Sequence, residues 1–323
     1  MRSRVKAPYH TLYAAAKIAW AGNAKRIFCE MNTIYQKPLW RPPSEGGNLI
    51  IQATYGCSYN QCSFCAMYRS KQYQARPLEE VMRDIEAAAR DWPDATRVFL
   101  ADGDALALPT DYLHVLLEKL SQTFLRLTRV SCYATPANLL RKSVDDLLQL
   151  HRHKLTQLYV GVESGSDLIL RKVTKGATQR GIAESLHKAH DAGMRVSATV
   201  ILGLGGVAHW REHIDGTIEL LNAVPIRQLS TLQLYLDDSI VDEFHRRYGE
   251  SFQMPDDLAI LREQQRLIAG LRPPQPMLFR SNHASNALAL SGNLPRDRES
   301  LLDEIDQAIH GMKALRPNHL RGL

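Results

Sequence analysis

The chain has 323 residues, of which 45% are hydrophobic and 23% charged, as in a globular protein with one large domain or two small ones. No run of about 18 apolar residues occurs, which excludes a membrane-spanning helix. The formal net charge of +6 comes without a dense basic block, so it favours a small-molecule partner over a nucleic acid. The five cysteines are not spread as in a secreted disulfide scaffold, and we therefore predict a cytoplasmic protein.

Residues 1–47 are predicted to form an N-terminal extension. A helix is expected near residues 9–21, where Lys17 interrupts an apolar patch and argues against a signal peptide. Pro42, Pro43 and the pair Gly46-Gly47 then mark a boundary with the domain that follows, because proline and glycine interrupt regular structure.

Strands and helices alternate between residues 48 and 240. The predicted strands are residues 48–53, 97–101, 129–133, 155–162, 195–202 and 227–235. Helical spacing of apolar residues predicts helices at 77–92, 110–125, 144–150, 180–192 and 210–221 between them. Six strand–helix units of this kind imply right-handed crossovers and a parallel sheet, so we predict an α/β core domain over residues 48–240.

Residues 241–323 are predicted to be a C-terminal extension with helices at 256–271 and 296–312. Between them lies the polar run Arg280-Ser281-Asn282-His283-Ala284-Ser285-Asn286, whose density of hydrogen-bonding side chains is unusual for a linker. This run is predicted either to cover the mouth of the core domain and contact a ligand or to be a solvated loop.

Three cysteines, Cys57, Cys62 and Cys65, follow the first strand and lie at the carboxyl edge of the predicted sheet, where ligand-binding loops gather. Three thiolates can bind three irons of a [4Fe–4S] cluster and leave the fourth iron open for chemistry. Zinc is the alternative, and it would need a fourth ligand such as a histidine. The other two cysteines, Cys29 and Cys132, are predicted to be buried apolar residues, with a role in the site as the alternative.

The cysteine loop resembles that of the radical S-adenosylmethionine (SAM) superfamily, whose members carry three clustered cysteines after the first strand of a partial (βα)6 barrel. The usual gaps are three residues and then two, with an aromatic residue before the last cysteine. This chain has gaps of four and two, with Phe64 as the aromatic residue. The resemblance implies a partial (βα)6 TIM-like barrel, a [4Fe–4S] cluster held by the three cysteines, and SAM, with Phe64 packing near its adenine.

The same resemblance implies the chemistry. The amino and carboxylate groups of SAM chelate the open iron, and an electron from the cluster cleaves SAM to a 5′-deoxyadenosyl radical that abstracts hydrogen from a substrate. The cofactors carry this reaction, whereas the protein supplies ligation, orientation and a dry site.

The second strand ends in Asp102-Gly103-Asp104, at the place of the family's Gly-Gly-Glu motif, which binds the SAM amino group. An acidic side chain or a free backbone carbonyl there can accept from an ammonium group, and Gly103 permits a close approach. Which aspartate contacts SAM stays open, and an ordinary turn at the strand end is the alternative.

The fourth strand ends at Glu163, and Lys175 follows twelve residues later. The segment resembles that of oxygen-independent coproporphyrinogen oxidases, radical tRNA methylthiotransferases and elongator-type acetyltransferases. In these families a glutamine or glutamate contacts SAM, and a downstream cation pairs with the carboxylate of SAM. The resemblance implies the first role for Glu163 and the second for Lys175. A glutamate buried at the barrel rim is costly unless it is paired, and a Glu163–Lys175 salt bridge without a ligand is the alternative.

The fifth strand ends in a glycine-rich stretch that resembles the backbone segment receiving the adenine of SAM. We predict that Thr199, on the same strand, reaches the ribose. The glycines concerned are Gly203, Gly205 and Gly206.

Alternate positions of two further strands are candidates for the pocket lining. On the sixth strand, Thr231, Gln233 and Tyr235 share one face and line the pocket if that face is inward. On the third strand, Ser131 and Tyr133 alternate in the same way, and interior packing is the alternative for both strands. Cys132 and Tyr133 are candidate hydrogen donors.

We therefore predict a radical SAM enzyme of unknown substrate, served by an electron donor such as flavodoxin or ferredoxin. No second cysteine cluster occurs, which argues against members with auxiliary clusters. Two alternatives stay open: a non-catalytic iron–sulfur or metal-binding protein, and a tRNA- or peptide-modifying radical SAM enzyme. In the latter, basic residues of the N-terminal extension should form one face that binds the substrate in a salt-dependent manner: Lys6, Lys17, Lys25 and Arg26.

Overall fold

The structure, a computed structural model, describes residues 35–322. Three predictions therefore lie outside the described residues: the helix near residues 9–21, the basic face of the N-terminal extension, and the burial of Cys29.

A short antiparallel hairpin and one large sheet contain the strands of this part of the chain. The hairpin pairs β2 (Thr54–Tyr55) with β3 (Gln74–Ala75). The large sheet has the order β1-β4-β5-β6-β7-β8-β9-β10, and its neighbours are parallel except for the antiparallel pair β9–β10. Its strands are β1 (Leu49–Gln52), β4 (Arg97–Ala101), β5 (Arg129–Ala134), β6 (Leu155–Glu163), β7 (Arg195–Leu202), β8 (Gln228–Gln233), β9 (Met277–Ser281) and β10 (Leu290–Leu294).

The helices lie between these strands as expected for crossover connections. In chain order they are α1 (Leu78–Asp91), α2 (Thr110–Thr123), α3 (Pro136–Arg141), α4 (Val144–Arg152), α5 (Asp167–Lys172), α6 (Gln179–Asp191), α7 (Trp210–Ala223), α8 (Val241–Tyr248), α9 (Asp257–Gly270) and α10 (Arg298–Ile309). In the part of the chain that the structure describes, no helix is both long and apolar enough to cross a membrane.

Local sequence sets several helix ends. Ser143 and Asp146 form a capping box at the start of α4, so two free backbone N–H groups are satisfied. Thr178 caps α6 and Asp256 caps α9 through their side-chain oxygens. Gly249 adopts the left-handed conformation (φ 80°) that ends α8, where a residue with a Cβ would be strained.

The predicted parallel α/β architecture is confirmed, and β1 and β10 remain the two edges of the described sheet. The barrel is therefore partial, as predicted. The six predicted strands and five predicted helices of the core domain are all present, with ends shifted by a few residues. The helices α3, α5 and α8 were not predicted because each has only six to eight residues, too few for a periodic pattern to stand out in the sequence.

The C-terminal extension differs from its prediction, because it adds two strands to the sheet. Residue Gln228 of β8 pairs with Leu278 of β9, so the sheet continues past the predicted boundary at residue 240. Both new strands have five residues, and Gly292 lies in the middle of the second, where it weakens the apolar pattern of the sequence. Such short segments carry too few alternating positions to be distinguished from loop.

Alternation along the strands separates two packed faces. Val130, Cys132 and Ala134 of β5 belong to the main core between the sheet and the helices. The opposite, inner face carries a smaller cluster in which the ring of Phe99 lies 5.3 Å from that of Tyr133 and 6.2 Å from that of Tyr159. These aromatic rings fill the inside of the partial barrel and leave its carboxyl end for the loops.

Candidate functional site

The cysteine loop leaves the sheet at the carboxyl end of β1 and is closed by the β2–β3 hairpin. Its backbone is fixed by two side chains within the loop. Asn60 donates to the carbonyl of Tyr68 at 2.9 Å, and Arg69 donates to the carbonyls of Cys62 at 2.8 Å and Cys65 at 3.2 Å. The three cysteines are half-buried and free of disulfides, so their thiols are available as ligands.

The three thiols share one electrostatic environment. Burial raises the pKa of each, that of Cys62 to about 12, whereas the positive charge of Lys175 lowers the pKa of all three. A thiol must lose its proton to bind iron, so Lys175 acts in the direction that ligation requires. Within residues 35–322, no three Cys, His, Asp or Glu side chains are grouped to hold a single metal ion. Three thiols match the number of protein ligands of a [4Fe–4S] cluster with one open iron.

Glu163 and Lys175 meet at this end of the barrel. The backbone of Glu163 has φ 64°, and the β6–β7 register shifts at this point. The Lys175 Nζ atom lies 3.0 Å from Glu163 Oε1, with each side chain 10% exposed. The salt bridge that the sequence offered as the alternative is therefore present, and the SAM contacts of both residues stay a prediction. The pair lies in the surroundings of Cys62, whose pKa responds to both charges.

Gly161 makes room for this pair. A Cβ atom at Gly161 would lie 2.0 Å from Glu163 Oε1 and 3.0 Å from Lys175 Nζ. We expect Gly161→Ala to displace the ion pair and weaken SAM binding by about 10-fold or more, as for a misplaced charge-assisted contact. Equilibrium SAM binding to the reconstituted protein measures this. Gly47→Ala, whose Cβ meets nothing within 4 Å, is the control and should bind SAM like the wild type.

The turn that follows Glu163 is held by α7, which sequence reasoning missed. His213 Nε2 lies 2.9 Å from the carbonyl of Ile201, so it carries the proton, and Nδ1 accepts from Ser164 Oγ at 2.8 Å. Burial lowers the pKa of His213 to about 4, which keeps the ring neutral. These residues lie far apart in sequence, and no local pattern connects them.

The two aspartates after β4 hold the cysteine loop. Asp102 Oδ2 lies 2.5 Å from Lys71 Nζ and accepts from the Gly56 N–H at 3.2 Å. Asp104 accepts from Ser58 Oγ and Asn138 Nδ2. Both carboxylates are fully buried, and burial raises the pKa of Asp104 to about 6.

Gly103 brings the same turn against the cysteine loop. Its N–H donates to the Gly56 carbonyl at 3.1 Å. A Cβ there would lie 2.6 Å from the Tyr68 ring and 3.0 Å from Cys57 Cβ. Among described residues, the Gly103 carbonyl accepts no hydrogen bond and Gly103 is only half-buried, whereas Asp102 is fully buried, so Gly103 is the position of this turn that a ligand can reach.

Phe64 packs against a cluster that includes Leu204 of the glycine-rich stretch. Two of the predicted glycines have positive φ, Gly203 at 84° and Gly206 at 60°, and their missing side chains admit Ile260 and Phe252 at 2.7 and 2.9 Å from an added Cβ. At Gly205 an added Cβ would lie 2.6 Å from a backbone carbonyl oxygen. Close packing therefore accounts for the three glycines without a contact to adenine.

Below this stretch, Glu263 of α9 is buried and accepts from the Gly203 N–H at 2.7 Å. Its Oε1 atom has no partner. Burial raises the pKa of Glu263 from an ordinary value of 4.5 to about 8, although the bond from Gly203 acts in the opposite direction. The folded protein therefore retains a proton at neutral pH that the unfolded chain releases.

This difference gives a pH dependence of stability. Between pH 4.5 and 8 the folded state binds one proton more at Glu263 than the unfolded state, so the free energy of unfolding falls as pH rises and the loss is complete above pH 8. We expect Glu263→Gln to match the wild type near pH 5 and to be more stable by roughly 2–4 kcal/mol near pH 9. Urea unfolding under anaerobic conditions at both pH values tests this. Glu299→Gln, which changes an exposed glutamate of α10, is the control and should show no gain in stability near pH 9.

Two candidate pocket residues face away from the barrel interior. Cys132 is fully buried in the core between sheet and helices, so the structure corrects its prediction as a hydrogen donor and confirms burial as an apolar residue. Thr231 accepts from Gln264 of α9 at 3.3 Å, which places its face of β8 toward the helices. The inner face of β8 instead carries Ser230.

Other candidates do lie on the inner side. Tyr133 packs there, and burial raises its pKa. Thr199 is half-buried and pairs with Gly161 across β6 and β7, so it lies next to the Glu163–Lys175 pair.

The polar run after β9 is largely bound to the protein. Asn286 donates to the Thr231 carbonyl at 2.8 Å and accepts from the Gln233 N–H at 2.7 Å. Arg316 donates to three of its carbonyls. These contacts fasten residues 283–286 to β8 and explain the polarity of that part of the run without a ligand.

A model of the radical SAM superfamily matches residues 51–221, more than half of the 323 residues. The chain therefore belongs to the radical SAM superfamily and is an enzyme of that superfamily. Its cofactors are a [4Fe–4S] cluster and SAM, and the family supports cleavage of SAM by radical chemistry.

Individual relatives are distant. A predicted methylthiotransferase of Methanocaldococcus jannaschii is 25% identical over 49% of this chain and 35% of its own length. The heme chaperone HemW of Bacillus subtilis is 21% identical over 56% and 48%. The tRNA-2-methylthio-N(6)-dimethylallyladenosine synthase of Alkalilimnicola ehrlichii is 27% identical over 58% and 43%. The chain thus spans about half or less of the length of these relatives.

Similar solved structures are distant as well. Methylornithine synthase PylB is 16% identical, covers 83% of both chains and has a TM-score of 0.46. The radical SAM methyltransferase TsrM of Kitasatospora setae is 16% identical over 64% of this chain and 42% of its own, with a TM-score of 0.49.

Proposed function

We propose that this chain is the catalytic core of a radical SAM enzyme in which Cys57, Cys62 and Cys65 each bind one iron of the cluster. When bound, the cluster and SAM supply one electron and a 5′-deoxyadenosyl radical that takes a hydrogen atom from the substrate, leaving methionine and 5′-deoxyadenosine. The observation that carries the proposal is the meeting of three free thiols with the Glu163–Lys175 pair at the carboxyl end of the sheet.

Lys175 and Glu163 are assigned to the amino-acid part and the ribose side of SAM. A buried lysine whose positive charge favours three nearby thiolates also attracts the SAM carboxylate. Glu163 keeps that lysine charged and oriented, and its second oxygen, Oε2, has no described partner. This oxygen can accept a hydrogen bond from a hydroxyl of the ribose, and Thr199 lies beside the Glu163–Lys175 pair.

The turn after β4 is assigned to the SAM ammonium group through its backbone. The carboxylates of Asp102 and Asp104 are held by Lys71, Ser58 and Asn138, so their function is to fix the cysteine loop. The carbonyl of half-buried Gly103 is the acceptor that remains, and a carbonyl accepts well from an ammonium group.

The adenine is assigned to the space between Phe64 and the stretch from Gly203 to Gly206. Leu204 packs in the same cluster as Phe64, which supports this placement. Helix α8 lies against the cysteine loop through Arg247, which donates to the Gln61 carbonyl at 3.3 Å, and through Glu243, which lies 3.5 Å from Arg69. These contacts support the prediction that the C-terminal extension covers the barrel mouth and keeps water from the site.

Tyr133 is the remaining candidate hydrogen donor on the inner face. We favour a small-molecule substrate and a reductant such as flavodoxin or ferredoxin.

The test is an anaerobic assay. The purified chain is reconstituted with iron and sulfide, reduced with dithionite and given SAM, and 5′-deoxyadenosine and methionine are measured by mass spectrometry. Formation of both products supports the proposal. A reduced cluster whose electron paramagnetic resonance spectrum does not change on addition of SAM, with no product, contradicts it.

A further inference from the structure

A row of paired residues crosses the inner face of the sheet at the level of the Glu163–Lys175 pair. Gly161 of β6 pairs with Thr199 of β7, Thr199 with Ser230 of β8, and Ser230 with Arg280 of β9. Paired residues of neighbouring strands point to the same face. The row therefore begins under the ion pair assigned to SAM and ends at an arginine.

The direction of Arg280 follows from its neighbours on β9. Met277 and Phe279 belong to the core between sheet and helices, and Ser281 accepts from Gln264 of α9 at 2.6 Å. Because side chains alternate along a strand, Arg280 points to the opposite, inner face. It is half-buried there.

The guanidinium of Arg280 has no acidic partner among residues 35–322. Its Nη1 atom donates to the carbonyls of Phe279 at 2.8 Å and Gly292 at 3.4 Å, which uses both Nη1 hydrogens. The Nε and Nη2 hydrogens have no described acceptor, and neither atom is sealed from solvent as a buried unpaired group. That edge is the two-pronged donor that matches a carboxylate or phosphate.

No acid in the row offsets this charge. Thr199 and Ser230 are neutral hydroxyl residues, and Glu163 is already paired with Lys175. Neighbouring strands lie about 4.8 Å apart, so Arg280 is about 10 Å from Thr199 along the sheet. This distance leaves room for a small molecule between the SAM site and the arginine.

We infer that Arg280 binds an oxyanion of the substrate, a carboxylate or a phosphate, and that Thr199 and Ser230 line the path between this anchor and SAM. The inference rests on the proposed function, because the row defines a substrate site only if SAM lies at its other end. It assigns the substrate to the class of small anionic molecules.

The test uses the reconstituted protein with saturating SAM and no reductant, so that the SAM carboxylate site and the open iron are occupied while SAM stays intact. Binding of inorganic phosphate and, separately, of acetate is measured by ligand-observed nuclear magnetic resonance. We expect one of these probes to bind the wild type and to bind Arg280→Gln about 10-fold or more weakly, with Arg280→Lys in between. Arg195→Gln, an exposed arginine at the amino end of β7, is the matched control and should bind like the wild type.

Equal affinity of the wild type and Arg280→Gln, or no binding of either probe to the wild type, overturns the inference. Unchanged SAM affinity and thermal unfolding of the Arg280 variants exclude misfolding as the cause of a loss. Reduction of the same samples then measures 5′-deoxyadenosine. If the probe binds through Arg280 but this product is not formed, the anion site stands and the proposed function is refuted. If the product is formed but the wild type and Arg280→Gln bind the probe equally, the proposed function stands and the anion site is refuted.

Discussion

Cys62→Ala is expected to lose most of the reconstituted iron and to form 5′-deoxyadenosine at least about 100-fold more slowly than the wild type. Even the loss of an outer partner of a metal ligand costs about 10- to 100-fold, and a ligand itself costs more. The pKa of Cys62 responds to the charges of both Glu163 and Lys175, so its thiol shares the electrostatic surroundings of the assigned cofactor contacts. Iron content, the cluster absorbance and the product assay measure the effect.

The control is Cys132→Ala, which removes a thiol of the same chain from a different environment. Cys132 is fully buried between the sheet and the helices, so its loss should leave iron content and product formation unchanged and cost about 1 kcal/mol of stability through a small cavity. If Cys62→Ala kept the cluster, or if Cys132→Ala lost it, the assignment of ligands would be wrong.

Lys175→Met is expected to raise the dissociation constant of SAM by about 30-fold or more. Removing one partner of a buried charge pair costs roughly 2–5 kcal/mol, much of it from the charge that stays behind unpaired. Here Glu163 would remain buried, and the three thiols would lose a counter-charge common to all of them. Equilibrium binding of SAM and thermal unfolding together measure both consequences.

Lys172→Met is the matched control, because this lysine lies three residues earlier and pairs with Glu250 at 2.9 Å, away from the thiols. It should bind SAM like the wild type. The double variant Glu163→Gln/Lys175→Met should recover part of the lost stability, since no unpaired charge remains, but not the SAM affinity. Full SAM affinity in Lys175→Met would show that the ion pair is only structural.

The inner row suggests why a partial barrel suits this chemistry. In our proposal the cofactors lie at the ends of β1, β4 and β6, and in our inference an anion anchor lies on β9 near the open edge of the sheet. A substrate held by Arg280 would extend along the row toward SAM, and a fixed orientation of this kind favours hydrogen transfer.

The sequence by itself determined most strands and helices of residues 48–240 and the cysteine loop. Periodicity along one strand or helix depends on neighbours in the chain, so the alternation from residue 48 to 240 and the positions of Cys57, Cys62 and Cys65 could be read directly. The Glu163–Lys175 salt bridge was foreseen only as the alternative to contacts with SAM, because both residues follow the same strand end.

Tertiary structure alone decided which faces turn inward and which distant groups meet. The alternation of β8 was visible, but only the contact of Thr231 with Gln264 shows that its face packs on α9. Likewise, the bond between His213 and Ser164 and the pairing of Arg280 with Ser230 join residues 49 and 50 positions apart. Such contacts are set by how helices and strands pack against one another, and packing depends on the whole chain rather than on any local pattern.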